Sequence, residues 1–329
     1  MRRREFTAAL ACAAAAWPII GSAQQPEGVR RVGVLSIFGE SDSEATAWLK
    51  AFEDELKRLG WEQGRSVRIE SRLSGNDTRR LQTAAAELVA TKPDVIFAVT
   101  TLALAVLNRE TQTIPIVFVQ VSDPVRLGFV TSLARPGGNI TGFVTHEFQI
   151  GGKWIGLLRD TAPGTTHVAF LFDPDNPSQP AYLQGIEAAA PTLGVQVTRA
   201  GVRNAAEIEQ AIHAFAQHPN GGLVISPSSI TLRHRDLIID LAAKSRLPAV
   251  YPYRIFAQSG GLISYGADLR DAYAKAASYV DRVLKGAKVA DLPVQLSNKF
   301  ELLVNLKTAK ALGLTIPEPF LQQADEVIE

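Results

Sequence analysis

Residues 93–124 read PDVIFAVTTLALAVLNRETQTIPIVFVQVSDP, and their punctuation decides the fold class. After Pro93-Asp94 comes an unbroken apolar run over 95–99, the length and composition of a strand buried on both faces. Residues 100–109 carry helix-forming side chains, and 114–121 is a β-branched run closed by Ser122-Asp123-Pro124. Strand, helix and strand at this spacing form a βαβ unit, in which the helix returns the chain so that the strands run parallel.

The same rhythm extends in both directions. Upstream, residues 31–38 read as an apolar strand. Residues 45–59 follow as an amphipathic helix with Trp48, Phe52, Leu56 and Leu59 on one face, stopped by Gly60. Residues 67–72 form a strand and 78–90 a helix. Downstream the alternation starts again. A strand over 167–172 is closed by Asp173-Pro174-Asp175-Asn176-Pro177, and then come helix 182–193, strand 195–200, helix 205–217, strand 222–226, helix 232–245 and strand 247–251. The fourth strand opens with Ile-Pro in one half and Leu-Pro in the other. The fold class is therefore α/β, with two doubly wound Rossmann-like lobes.

A tail follows the second lobe. It reads as strand 262–265, helix 271–285, strand 300–305 and a short helix over 306–312. A tail of this kind predicts that the chain crosses back between lobes, and several crossings make a multi-strand hinge. The expected division is 30–142 with about 266–290 for lobe 1, and 143–265 with about 291–329 for lobe 2.

The first residues carry an address. Arg2, Arg3 and Arg4 precede an apolar run from 8 to 20, and Gly21-Ser22-Ala23 offers small residues where a signal peptidase cuts. Residues 1–23 read as a signal peptide cleaved after about Ala23, and Arg3-Arg4-Glu5-Phe6 resembles a twin-arginine signal. The run falls short of the roughly 20 apolar residues that span a bilayer, so cleavage is favoured over anchoring and the mature protein is not membrane-embedded. The expected location is the periplasm. Of 34 basic and 33 acidic residues, cleavage removes Arg2, Arg3, Arg4 and Glu5, leaving 31 and 32 and a net charge of −1. That balance lacks the basic excess a phosphate backbone requires, which argues against nucleic acid as a partner. Cys12 is the sole cysteine and lies in the leader, so the mature chain has no disulfide, thiolate nucleophile or cysteine ligand for a metal. His146, His167, His213, His218 and His234 show no metal-ligand spacing, and no cofactor motif is present.

Several motifs carry a family resemblance. They are Ser122-Asp123-Pro124-Val125 with residues 135–142 (RPGGNITG), Gly260-Gly261-Leu262 with residues 265–268 (YGAD), residues 305–314 (NLKTAKALGL) and residues 324–329 (ADEVIE). From about Arg30 to Glu329 the chain resembles the ABC transporter substrate-binding family related to tryptophan and aromatic amino-acid binders. The resemblance implies a type I periplasmic-binding-protein fold. It further implies capture of a small-molecule ligand and partnership with an ABC permease and ATPase complex. The chain departs from the tryptophan binders at Asp175-Asn176-Pro177-Ser178 and at Pro227-Ser228-Ser229, which puts an amino-acid ligand in question.

In an open parallel sheet, ligands sit outside the carboxyl ends of the strands. That rule selects Ser36, Phe38, Thr100, Thr101, Ser122 and Asp123 in lobe 1. In lobe 2 it selects Asp173, Asn176, Ser178, Ser226, Ser228 and Tyr251, with Tyr265 and Asp268 at a crossing. Thr100 and Thr101 suit a ligand carboxylate, and equally suit an ordinary N-cap. Asp123 suits a ligand amine or the turn before Pro124, and Asp268 a hinge hydrogen bond or a ligand contact. Asn176 and Ser178 suit a ligand or a proline-rich loop, and Phe38 and Tyr251 a stacked ring or strand-end packing. Two other functions compete with transport. An exported hydrolase-like enzyme needs a nucleophile, base and acid converging on the cleft, and a sensor presents its loaded form to a membrane receptor.

Overall fold

The computed structural model describes residues 28–75, 77–145 and 149–329. The signal peptide expected over 1–23, Cys12 within it, and His146 lie outside the described residues.

The first lobe begins with β1 (Arg30–Ser36), α1 (Ser43–Arg58), β2 (Val67–Leu73), α2 (Thr78–Ala90), β3 (Val95–Val99), α3 (Thr101–Glu110), β4 (Ile116–Val121) and β5 (Ile140–Val144). α1 starts where the Asp42 side chain accepts from the N–H groups of Glu44 and Ala45, and ends with Lys57 and Arg58 against its negative pole. Its buried stripe of Trp48, Phe52 and Leu56 packs on the sheet, with the Phe52 and Phe97 rings stacked at 4.2 Å. Truncating either ring to alanine would cost about 3–5 kcal/mol.

The second lobe contains α4 (Ile150–Thr161), β6 (His167–Phe172), α5 (Gln179–Ala189), β7 (Gln196–Gly201), α6 (Ala205–Phe215) and β8 (Gly221–Ile225). It continues with α7 (Ser229–Arg233), α8 (Arg235–Lys244), β9 (Ala249–Tyr251), α9 (Arg254–Gln258) and β10 (Ile263–Ala267). The helix expected over 232–245 is thus two helices, broken at His234. The chain ends with α10 (Leu269–Leu284), β11 (Gln295–Leu296), β12 (Phe300–Asn305), α11 (Leu306–Leu312), α12 (Glu318–Leu321) and β13 (Glu326–Ile328).

Two sheets result. The first runs β2-β1-β3-β4-β5-β11 and is parallel throughout. The second runs β7-β6-β8-β9-β10-β12-β13 and is parallel except where β10 meets β12. The leading five strands follow one order in both lobes, so each has its reversal of winding beside its first strand, where an α/β crevice opens. β5 and α4 have no counterpart among the elements read from the sequence. β5 fits so tightly beside β4 that a Cβ at Gly142 would lie 2.2 Å from the Phe118 carbonyl oxygen.

The chain passes between lobes after β5, after β10 and after β11. α10 returns to lobe 1, where Tyr273 meets Phe97 edge-on at 5.5 Å and Asp281 accepts from the Trp61 indole at 2.8 Å. β11 pairs with β5, so the last return falls at Ser297–Lys299 rather than near 290. The crossings are tied to one another: Ser297 N–H donates to Val144 O at 2.8 Å and Asp268 N–H to Lys299 O at 3.0 Å. Among the described residues no helix is long and apolar enough to cross a membrane.

Candidate functional site

The carboxyl ends of both sheets face each other across a cavity whose non-atom space, mouth included, is about 420 Å3. Lobe 1 supplies Phe38 after β1, Thr100, Thr101 and Leu102 after β3, Gln120 and Ser122 at the end of β4, and Thr145 after β5. Lobe 2 supplies Asn176, Ser178 and Tyr182 after β6, Ser228 and Ser229 after β8, and Tyr253 after β9. The wall is therefore mostly hydroxyls, side-chain amides and aromatic rings, with Ile37, Leu102 and Pro227 between them. No Asp, Glu, Lys, Arg or His is among the described residues that line it. Burial pushes the Tyr182 and Tyr253 hydroxyls far above their ordinary range, so they stay neutral at any physiological pH.

The lobe 1 wall is strained. Thr100 has φ 84° and ψ 158°, a region otherwise nearly reserved for glycine, at a cost of about 1–3 kcal/mol. Its side chain makes no cap for α3, and its buried Oγ1 has no partner among the described residues. Gln120 has φ 56° and forms a bulge at which the β4–β5 register shifts. Bulges re-aim side chains beside functional sites, and here the Gln120 side chain lines the cavity. Gln120 is only 9% exposed, yet its Nε2 donates to nothing among the described residues. Asp123, just beyond, has φ 45°.

The lobe 2 wall is satisfied. Asn176 Oδ1 accepts from Ser178 N–H at 3.1 Å and from Ser178 Oγ at 2.8 Å. Ser228 caps α7, its Oγ accepting from Thr231 N–H at 3.2 Å. Asp173 Oδ1 accepts from Asp175 N–H, and burial raises the Asp173 carboxyl above its ordinary value. The lobes meet at Ser122 Oγ and Tyr182 OH, 2.5 Å apart, and Arg233 donates across to Gly75 O.

Six of the ten residues selected from the sequence line the cavity: Phe38, Thr100, Thr101, Asn176, Ser178 and Ser228. Four do not. Ser36 is buried beneath the wall, its Oγ accepting from Phe38 N–H at 3.2 Å. Asp123 turns to Arg126 N–H, making the turn rather than the wall. Tyr251 is 1% exposed and stacks on Phe256 at 5.0 Å, because β9 ends there and α9 folds over its ring. Tyr253 lines the cavity in its place. Asp268 caps α10 and pairs with Lys299 at 2.7 Å, which makes it a hinge residue. Of the wider strand-end set, Ser122 lines the cavity while Asp173 and Ser226 do not, and Tyr265 sits at the hinge beside Phe300. Sequence reasoning missed Gln120, Thr145, Tyr182 and Tyr253. Only Gln120 left a trace, as the one polar residue in the run IVFVQV.

Comparison with known proteins fits this architecture. A tyrosine-binding protein of Clostridioides difficile (strain R20291) is 25% identical over 273 residues, 83% of this chain and 77% of that protein. The ABC domain of Streptococcus pneumoniae solved in complex with L-Trp has a TM-score of 0.85 and 24% identity, over 92% of this chain and 100% of that one. An ABC transporter solute-binding protein of Agrobacterium vitis with bound allitol has a TM-score of 0.62 and 14% identity, over 86% and 96%. At these identities the two solved structures share the fold, a type I periplasmic-binding-protein fold. Residues 31–328 match the family described as ABC transporter substrate binding protein, and nearly the whole of both lobes lies inside the match. The chain belongs to the ABC transporter substrate-binding protein family.

Proposed function

We propose that this chain is the extracytoplasmic solute receptor of an ABC importer. Exported and freed of its leader after about Ala23, it captures a small molecule between its lobes. It then presents the closed form to a membrane permease and its ATPase. One observation carries the reading: the cleft wall holds buried polar groups, Thr100 Oγ1 and Gln120 Nε2, that have no partner among the described residues. Buried polar groups are almost always paired, and a cleft that leaves two open suits a ligand that pairs them. Binding across both strand ends favours the closed arrangement and shifts the population toward it.

The reading is one of binding without catalysis. An enzyme of the hydrolase kind needs a nucleophile, a base and an orienting acid in contact, and the described cavity residues supply hydroxyls without a base. The relatives named for tyrosine and for L-Trp support a ring-bearing ligand, as do Phe38, Tyr182 and Tyr253 in the wall. The test is a thermal-shift screen of the purified mature protein against amino acids, aromatic acids, nucleosides and sugars. Chromatography before and after incubation follows the fate of each hit. Stabilisation by a compound recovered intact is expected. Conversion of the compound at catalytic rates would replace this reading with an enzymatic one.

A further inference from the structure

The hydrogen-bonding groups of the cleft are unevenly committed. In lobe 2 the acceptors are engaged: Asn176 Oδ1 takes two hydrogen bonds from Ser178, and Ser228 Oγ takes one from Thr231 N–H. Donors are left over. Gln120 Nε2 is unpartnered in a side chain more than nine-tenths buried. α3, ten residues long, opens at the cavity without a side-chain cap, so its first-turn N–H groups lack the acceptor that Asp42 or Asp77 supplies elsewhere. A donor-rich pocket at the positive end of a helix selects an oxyanion.

The complementary absence matters as much. Among the described residues no carboxylate lines the cavity, and those beside it in sequence are engaged elsewhere: Asp123 accepts from Arg126 N–H, Asp173 from Asp175 N–H, and Asp175 pairs with Arg203 at 3.0 Å. A ligand ammonium buried there would meet no carboxylate among the described residues, which is costly. Resting on the solute-receptor reading above, we infer that the cleft takes a small ring-bearing carboxylate that carries no ammonium group. The carboxylate sits on Gln120 Nε2 and the α3 N–H groups, and the ring lies among Phe38, Tyr182 and Tyr253.

Matched compounds test this by calorimetry on the mature protein: hydrocinnamate, phloretate and indolepropionate against L-phenylalanine, L-tyrosine and L-tryptophan, with hydrocinnamyl alcohol as the neutral form. At least one carboxylate is expected to bind about 10-fold or more tighter than both its α-amino counterpart and the alcohol, the scale of one charge-assisted hydrogen bond. Gln120→Glu should then weaken that carboxylate about 100-fold while moving the alcohol little, and Gln120→Leu about 10-fold, with ligand-free melting recording whether each variant folds. Tighter binding of the amino acids would overturn the inference and leave the receptor reading standing. So would a hit confined to sugars or nucleosides. Failure of every compound, or equal loss of carboxylate and alcohol in both Gln120 variants, also counts against it. Turnover of a bound compound is the separate result that removes the receptor reading.

Discussion

The two lobes wind their strands in one order, yet they meet the cleft in different states. Lobe 1 ends β3 and β4 in strain, with Thr100, Gln120 and Asp123 all at positive φ within 24 residues of one another. At the cleft end of lobe 2 no described residue other than glycine has positive φ; Asn220 and Arg246 lie at the opposite ends of β8 and β9. Unpartnered wall groups follow the same division, with Thr100 Oγ1 and Gln120 Nε2 both in lobe 1. In lobe 2, Ser226 Oγ and Gln179 Oε1 also lack partners, but neither residue lines the cavity. Lobe 1 thus stores strain and open hydrogen-bonding groups that a ligand would satisfy, whereas lobe 2 is complete by itself and closes as a finished surface. Strain of this kind persists only where the surroundings over-determine it, and it gathers at binding sites.

That contrast can be broken by mutation. Thr100→Ala should weaken ligand about 10-fold while leaving the melting temperature within a degree or two, because a ligand partner is lost and no internal bond is. Thr100→Gly should weaken ligand similarly and raise unfolding stability by about 1 kcal/mol as the strain is relieved. Calorimetry and denaturant melts read both, and unchanged affinity in both variants would move the grip out of lobe 1. Ser122→Ala removes the 2.5 Å contact with Tyr182 that joins the lobes. It should cost about 1 kcal/mol of closure, seen as roughly 5-fold weaker affinity and a larger radius of gyration in solution scattering. A loss of affinity without any expansion would assign Ser122 to the ligand rather than to closure.

Ser228→Ala should behave in the reverse way. Losing the α7 cap should lower unfolding stability by about 1 kcal/mol with affinity changed less than about 2-fold. An affinity loss as large as that of Thr100→Ala would erase the distinction between the lobes. The smallest effect belongs to the hinge. Burial raises the Asp268 carboxyl, but hydrogen bonds from Lys299 and from the Asp271 N–H outweigh it and hold the group below 3.8. A depressed carboxyl stabilises the fold above its unfolded value and loses that contribution as pH falls through the folded one. Asp268→Asn keeps the cap and deletes the ion pair, so it should cost about 0.5 kcal/mol at neutral pH. The gap from the parent protein should close as pH falls below 3.8. A gap that persisted into acid would show that the ion pair is not its source.

The balance of legible and illegible features follows from the same contrast. Regular elements announce themselves through period and punctuation: β3, α3 and β4 emerged from residues 93–124 because apolar runs, helix formers and Ser-Asp-Pro are local signals. Thr100, Asn176 and Ser228 were legible because they stand where strands stop. Gln120 showed only as the one polar residue of IVFVQV, and its place at the cavity was not legible, since the bulge is made by pairing with β5. Tyr251 misled because strand-end aromatics look alike until α9 is seen to bury one and leave the other at the cavity.

The amino-acid sequence alone determined the α/β class, the repeated winding and the strand ends at which a ligand would sit, because each depends on neighbours within a few residues. The tertiary structure decided which side chains face the cavity, where the chain recrosses, and which polar groups are left open. Those depend on contacts between segments as far apart as Ser122 and Tyr182, or Asp268 and Lys299, and no local pattern encodes a pairing over such separations.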